Sequence, residues 1–270
     1  MSYVWFFLCA VWYTLGAVVI CGLTVSLCRK LFVSMMGGGF GRGVVLATSL
    51  IGTPVHEMGH ALMCLLFGHK ITDMALWQPA SRDGNLGYVS HGYNKRNPYH
   101  ILGNLFIGIG PIFSGLAVLA AALWVGFPDS LREYATTASS MVAAGEGSLS
   151  LIPEGLKMLP RMVKEMSSSS VPLWGQIICL LVIFSVAQHV SLSTADIKGV
   201  LTALPLYLGM VLILTAVCGL IGQAAMDTVM GGLSLFSAYL TAFFMVVLVS
   251  SFLQLVIALP VWLVRKASGR

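Results

Sequence analysis

Charge is what this chain has least of. Its 270 residues include 15 Lys and Arg and 10 Asp and Glu, together 9%, against about 25% in an ordinary soluble domain. With 57% of the residues hydrophobic, so few charges cannot cover the surface of a globule. A soluble enzyme is excluded, and so are a disordered chain and a coiled coil, both of which need far more polar surface. The net charge of +5 is mild and no basic run is long enough for nucleic acid. The 6 cysteines all lie within or beside apolar segments and none is spaced CxxC, so they read as small buried hydrophobes, with neither disulfides nor a thiolate zinc site implied. Internal repeats and a separable soluble domain are also missing, which leaves one transmembrane domain over residues 1–270.

What the chain has in quantity is apolar runs. A helix needs about 20 apolar residues to cross a hydrocarbon core of roughly 30 Å. Six segments qualify: 3–28, 43–67, 101–127, 171–190, 200–222 and 233–264. The first lacks a positive leader and is too long for a signal peptide, so it is expected to stay as a helix. The basic residues divide evenly between the two sides, so charge bias does not orient the chain. Residues 68–100 have hairpin chemistry, with Asp83-Gly84 as the turn between strand-like 74–78 and 86–90. Residues 128–170 form a polar loop with amphipathic pieces near 130–141 and 153–166. The glycine cluster from Gly37 to Gly43 reads as a flexible connection. The expected fold class is therefore an all-α polytopic membrane protein of about six transmembrane helices, with a short β-hairpin after the second.

Ionisable residues inside a membrane segment are costly and usually functional. The second span holds His56-Glu57-Met58-Gly59-His60, an HExxH pattern. Chance placement of so few His and Glu gives this pattern with a probability of roughly 0.002. Residues i and i+4 share a helix face, so both imidazoles reach one Zn²⁺, and Glu57 stands beside them as general base. His60 lies about 10 Å before the end of the span at Phe67, inside the membrane. Gly52-Thr53-Pro54 reads as a helix start, with Thr53 as N-cap and Pro54 at the first position, and so predicts a break in the span. A third ligand is needed. Asp196, in the polar interruption 191–199, is the leading residue, although Ser193-x-x-Asp196 is also a capping-box pattern. His189 is the reserve ligand, and Asp227 reads as a loop or interfacial residue.

The stretch Val55-His56-Glu57-Met58-Gly59-His60-Ala61-Leu62 resembles the HExGHA helix of the site-2-protease family of intramembrane zinc metalloproteases. Asp196-Ile197-Lys198-Gly199 is similar to the family's LDG motif, and Gly110-Pro111 to its Gly-Pro motif. The LDG motif is reduced to an Asp with a Gly three positions on, and the asparagine after Gly-Pro is absent, which marks a divergent branch. The resemblance covers about residues 45–220. It implies that Asp196 completes a zinc site with His56 and His60, and that the hairpin is membrane-associated and presents an edge strand to an extended substrate. It also implies that residues 68–100 and both termini face the cytoplasm. The expected activity is zinc-dependent intramembrane endopeptidase, with Glu57 as general base. Its substrate would be a transmembrane or membrane-anchored protein or peptide, and the chain a multi-pass protein of the cell membrane. A transporter with a His/Glu/Asp ion site and a catalytically silent zinc-binding scaffold are the rival readings.

Overall fold

The structure is a computed structural model and describes residues 2–78, 86–146 and 148–268. It is helical apart from one hairpin. The first helix runs from Tyr3 to Met36 as α1 (Tyr3–Val11), a π-turn (Trp12–Gly16) and α2 (Ala17–Met36). The Ser2 hydroxyl caps its start, accepting from the Trp5 amide at 3.3 Å. Gly37, at φ 82°, makes the break that turns the chain into α3 (Gly38–Leu66), a conformation that L side chains avoid.

Two expectations fail along α3. The glycine cluster is not a flexible connection, because all of it after Gly37 is helical, and the span is not broken at Thr53-Pro54. Pro54 removes one backbone bond, yet α3 is packed against α2, α4 (Pro98–Gly126) and α8 (Leu173–His189), and that packing holds it helical across the gap. The Thr53 hydroxyl pairs with the His189 ring instead of capping a new start.

The hairpin pairs β1 (Lys70–Ala75) with β2 (Tyr88–Gly92) antiparallel, Lys70 opposite Gly92 and Ala75 opposite Tyr88, with an irregularity at Thr72. Both strands are displaced from the expected 74–78 and 86–90. The Gln78 amide nonetheless donates to the Leu86 carbonyl at 2.7 Å, so the two arms stay paired past the strand ends. The Asp83-Gly84 turn lies outside the described residues. The hairpin does not lie flat at the end of α3. Trp77 Nε1 donates to Ser49 Oγ at 2.8 Å, so the segment runs back along α3 for about 27 Å, at 1.5 Å per helical residue from Phe67 to Ser49.

Residues 128–168 are more ordered than a polar loop. They form α5 (Pro128–Ala143), α6 (Leu151–Leu156) and α7 (Met158–Ser168). Ser130, Tyr134, Ala138 and Val142 make the buried stripe of α5, one residue per turn. Tyr134 ties it to α10 (Gln223–Ala267), its hydroxyl donating to the Ala242 carbonyl at 2.7 Å. The last two long helices are α9 (Thr194–Ile221) and α10.

Four helices among the described residues are long and apolar enough to cross a membrane: Tyr3–Met36, α4, α9 and α10. Of the other two expected spans, α3 is long enough but too polar, and α8 is apolar but has 17 residues. Large apolar side chains cover the outward faces, among them Leu23, Leu27, Trp124, Leu212 and Leu220. Helix α4 is the centre of the bundle and contributes Leu105, Ile112, Leu119 and Leu123 to the main core. It packs against α3, α8, α9 and α10.

Candidate metal centre

The motif residues come from α3, and Asp196 comes from the first turn of α9. Glycines of α4 bring the two together. A Cβ at Gly110 would lie 2.6 Å from the Gly59 carbonyl oxygen, and one at Gly59 would lie 2.5 Å from Ser114 Oγ. Helices α3 and α4 therefore touch backbone to backbone inside the HExxH turn. Two residues away a Cβ at Gly108 would lie 2.6 Å from the Asp196 carbonyl oxygen. Small residues allow this closeness, so α4 acts as a thin partition with α3 on one side and α9 on the other.

Across that partition three polar side chains converge. His60 Nε2 is 3.1 Å from Asp196 Oδ1, His56 Nε2 is 3.7 Å from Asp196 Oδ2, and the two Nε2 atoms are 3.2 Å apart. The far side of each ring is anchored: His56 Nδ1 donates to the His189 carbonyl at 2.6 Å and His60 Nδ1 to the Ile107 carbonyl at 2.7 Å. A carbonyl only accepts, so each Nδ1 carries a proton, and a ring that is neutral turns a lone pair on Nε2 inward. Two such lone pairs and a carboxylate facing one another are held together by a cation between them, a proton or a metal ion. A tetrahedral ion with bonds of about 2.0–2.1 Å spaces its ligand atoms about 3.3 Å apart, and the observed 3.1–3.7 Å fits that figure. His56, His60 and Asp196 could thus hold a metal ion.

Asp196 is ligand candidate and helix cap at once. Its Oδ2 accepts from the Ser193 amide at 2.5 Å while Ser193 Oγ accepts from the Asp196 amide at 3.2 Å. The capping box aims the carboxylate and leaves Oδ1 to His60. His189 is not in the cluster. Its ring turns toward Thr48, Thr53 and the Val45 carbonyl, and it serves the site through its own carbonyl. A Cβ at Gly52 would lie 2.4 Å from the His189 ring, so the glycine seats it. Asp227 belongs to α10, is exposed, and pairs with Gln223 far from the motif in sequence.

A cavity of about 370 Å³ opens on the cluster. Glu57 lines it and forms no hydrogen bond among the described residues. Gly87 closes over that carboxylate, for a Cβ there would lie 2.8 Å from Glu57 Cγ and 2.7 Å from Thr53 Cγ2. Tyr88, Val89 and His91 of β2 line the same cavity. Three contributors escaped the sequence reading: the Ile107 and His189 carbonyls, the α4 glycines as a set, and Arg29. Arg29 reads as the end of the first span, yet it lies in the cavity wall. The signal was present, since the apolar residues resume at Leu31 and the helix continues to Met36.

Outside the membrane-spanning helices the hairpin base holds a second histidine group. His69 Nδ1 and His91 Nδ1 are 2.9 Å apart, and His69 Nε2 donates to the His100 carbonyl at 2.7 Å. His69 Nδ1 must then accept from the His91 ring. Burial is the main cause that pushes both imidazoles below their ordinary range. Comparison with known proteins returns no match to this chain: no family model, no curated protein and no solved structure.

Proposed function

We propose that the chain is a zinc-dependent intramembrane endopeptidase and a divergent relative of the site-2-protease family. The observation that carries this reading is the convergence of His56 Nε2, His60 Nε2 and the Asp196 carboxylate on one point beside Glu57, which has no hydrogen-bond partner among the described residues. A zinc ion held by those three side chains would supply Lewis acidity to the scissile carbonyl and to the attacking water. Glu57 takes the proton of that water as it adds to the carbonyl carbon, and delivers it to the amine as the C–N bond breaks. The His189 and Ile107 carbonyls hold the imidazoles in the tautomer the site needs.

The hairpin is the substrate-holding element in this reading. Because Tyr88, Val89 and His91 line the cavity, an extended segment laid along β2 passes Glu57 as an added strand. A transmembrane helix hides its carbonyls in its own hydrogen bonds, so the substrate unwinds locally before it is cut. In the bilayer we count six crossings, with α3 and α8 packed against each other and against the central α4. The two ends of the 68–100 segment and both termini are placed on the cytoplasmic side of the cell membrane, and the Trp77 end of the hairpin dips back into the bilayer along α3.

The test is to incubate detergent-purified, zinc-loaded chain with a library of transmembrane peptides and to read cleavage by mass spectrometry. Wild type is expected to cut, and Glu57→Gln to keep its zinc and lose cleavage. Cleavage by Glu57→Gln at the wild-type rate would sink the mechanism.

A further inference from the structure

We propose that Arg29 is an anion-binding residue of the cavity, and that the substrate presents a carboxylate to it. The inference rests on the peptidase reading and adds a substrate class to it. Among the described residues lining the metal cavity, Arg29 is the one Lys or Arg side chain. Its Nη1 donates to Ser191 Oγ at 2.8 Å, and among the described residues it has no carboxylate within ion-pair distance. Ser191 is neutral, so the guanidinium charge is held in place without being neutralised. Arg29 is half-buried and faces the cavity, so a guanidinium held there without a counter-charge gains from an anion that enters.

Charge in the cavity points the same way. With Glu57 and Asp196 ionised and a divalent ion bound, Arg29 leaves the described lining residues with a surplus positive charge. Its planar fork matches two carboxylate oxygens. Arg29 also stands at a junction. A second cavity of about 370 Å³, lined by Ser26, Arg29, Lys30, Val33, Ser191 and Leu192, shares Arg29, Ser191 and Leu192 with the first. A chain arriving between α2 and the link from α8 to α9 meets Lys30 and then Arg29 before the HExxH face. The carboxylate belongs either to an Asp or Glu side chain near the scissile bond or to the substrate's free C-terminus, and the test separates them.

The probes are three fluorescent Leu/Ala-rich peptides: one with a central Glu and an amidated end, its Gln twin, and the Gln twin with a free C-terminal carboxylate. Binding is read by anisotropy with the zinc-loaded Glu57→Gln chain. One carboxylate peptide is expected to bind about tenfold more tightly than the neutral twin, as a charge-assisted pair provides, and which one it is identifies the source. Adding Arg29→Gln, which keeps an N–H for Ser191, erases the preference and leaves the neutral peptide unchanged. Adding Arg29→Lys keeps part of it. Equal binding of the three peptides overturns the proposal, as does a preference that survives Arg29→Gln. If none of the peptides binds, the peptidase reading has failed, and acetate titrated into the cobalt-loaded chain decides on Arg29 alone. About tenfold weaker acetate binding in Arg29→Gln then supports it, and equal dissociation constants overturn it.

Discussion

Two buried glutamates in this protein have opposite surroundings. Glu165 on α7 is 5% exposed and Glu57 on α3 is 6% exposed. Glu165 is fully engaged: it accepts from the Asp129 amide at 3.0 Å, from the Ser130 amide at 2.9 Å and from Ser130 Oγ at 2.5 Å. It caps α5 from 35 residues away in sequence, satisfying amides that the helix start leaves orphaned. Glu57 has no such partner among the described residues and faces a cavity. Equal burial thus hides two roles. A carboxylate surrounded by donors stabilises the fold, whereas one left unpaired beside a cluster of acceptors is available to exchange a proton. Asp196 stands between them, with one oxygen in a capping box and the other against His60.

Substitutions that neutralise each acid test this contrast. The largest effect is expected at Glu57. Glu57→Gln lowers peptide cleavage by about 10²–10⁴-fold with zinc content and melting temperature unchanged, and a fall in either would return Glu57 to the structural class. Next comes Asp196. Asp196→Ala should weaken zinc binding on the order of 100-fold or more, while Ser193→Ala, which leaves the Ser193 amide on the carboxylate, weakens it by about tenfold, the low end for a residue that only orients a ligand, and costs about 1 kcal/mol of stability. Equal zinc loss in the two variants would mean that Asp196 acts only through the helix start.

At Glu165 the outcome inverts. Glu165→Ala leaves the α5 amides unsatisfied and should cost about 2–4 kcal/mol of stability, read from detergent melts, while the zinc bound per folded chain stays at the wild-type level. Zinc loss there would break the division between the two glutamates. The smallest effect concerns pH at the hairpin base. The imidazoles of His69 and His91 are held below their ordinary range, so between that lowered range and about 6.5 the unfolded chain binds more protons than the folded one. Hairpin stability is therefore complete above that window and declines as pH falls through it. The protection factors of the β1 and β2 amides, with the intrinsic pH dependence of exchange divided out, should fall from pH 7 to pH 5, and His69→Gln should flatten the slope; an unchanged slope would assign the loss to other groups.

Much of the fold is legible as local pattern. The apolar runs locate the long helices, alternation and turn chemistry locate the hairpin within a few residues, and the 130–141 amphipathic piece becomes α5. Hairpin boundaries were missed because Trp77 is fixed by Ser49, a contact 28 residues away in sequence. The expected break at Pro54 failed for a related reason: proline lowers helix stability locally, and packing from three neighbouring helices outweighs it.

By itself the sequence determined the chemistry of the site. An i, i+4 histidine pair must share a helix face, Glu57 must lie beside it, and Ser193 with Asp196 must form a helix start, because these follow from helical geometry within a few residues. Only the tertiary structure decided that the pieces meet. Gly108 and Gly110 thin α4 until α3 and α9 approach from opposite sides, the His189 and Ile107 carbonyls turn the rings, and Arg29 enters the cavity instead of the membrane surface. Contacts of that kind join residues 47 to 162 positions apart, where no periodicity reaches and close packing between helices selects the partner.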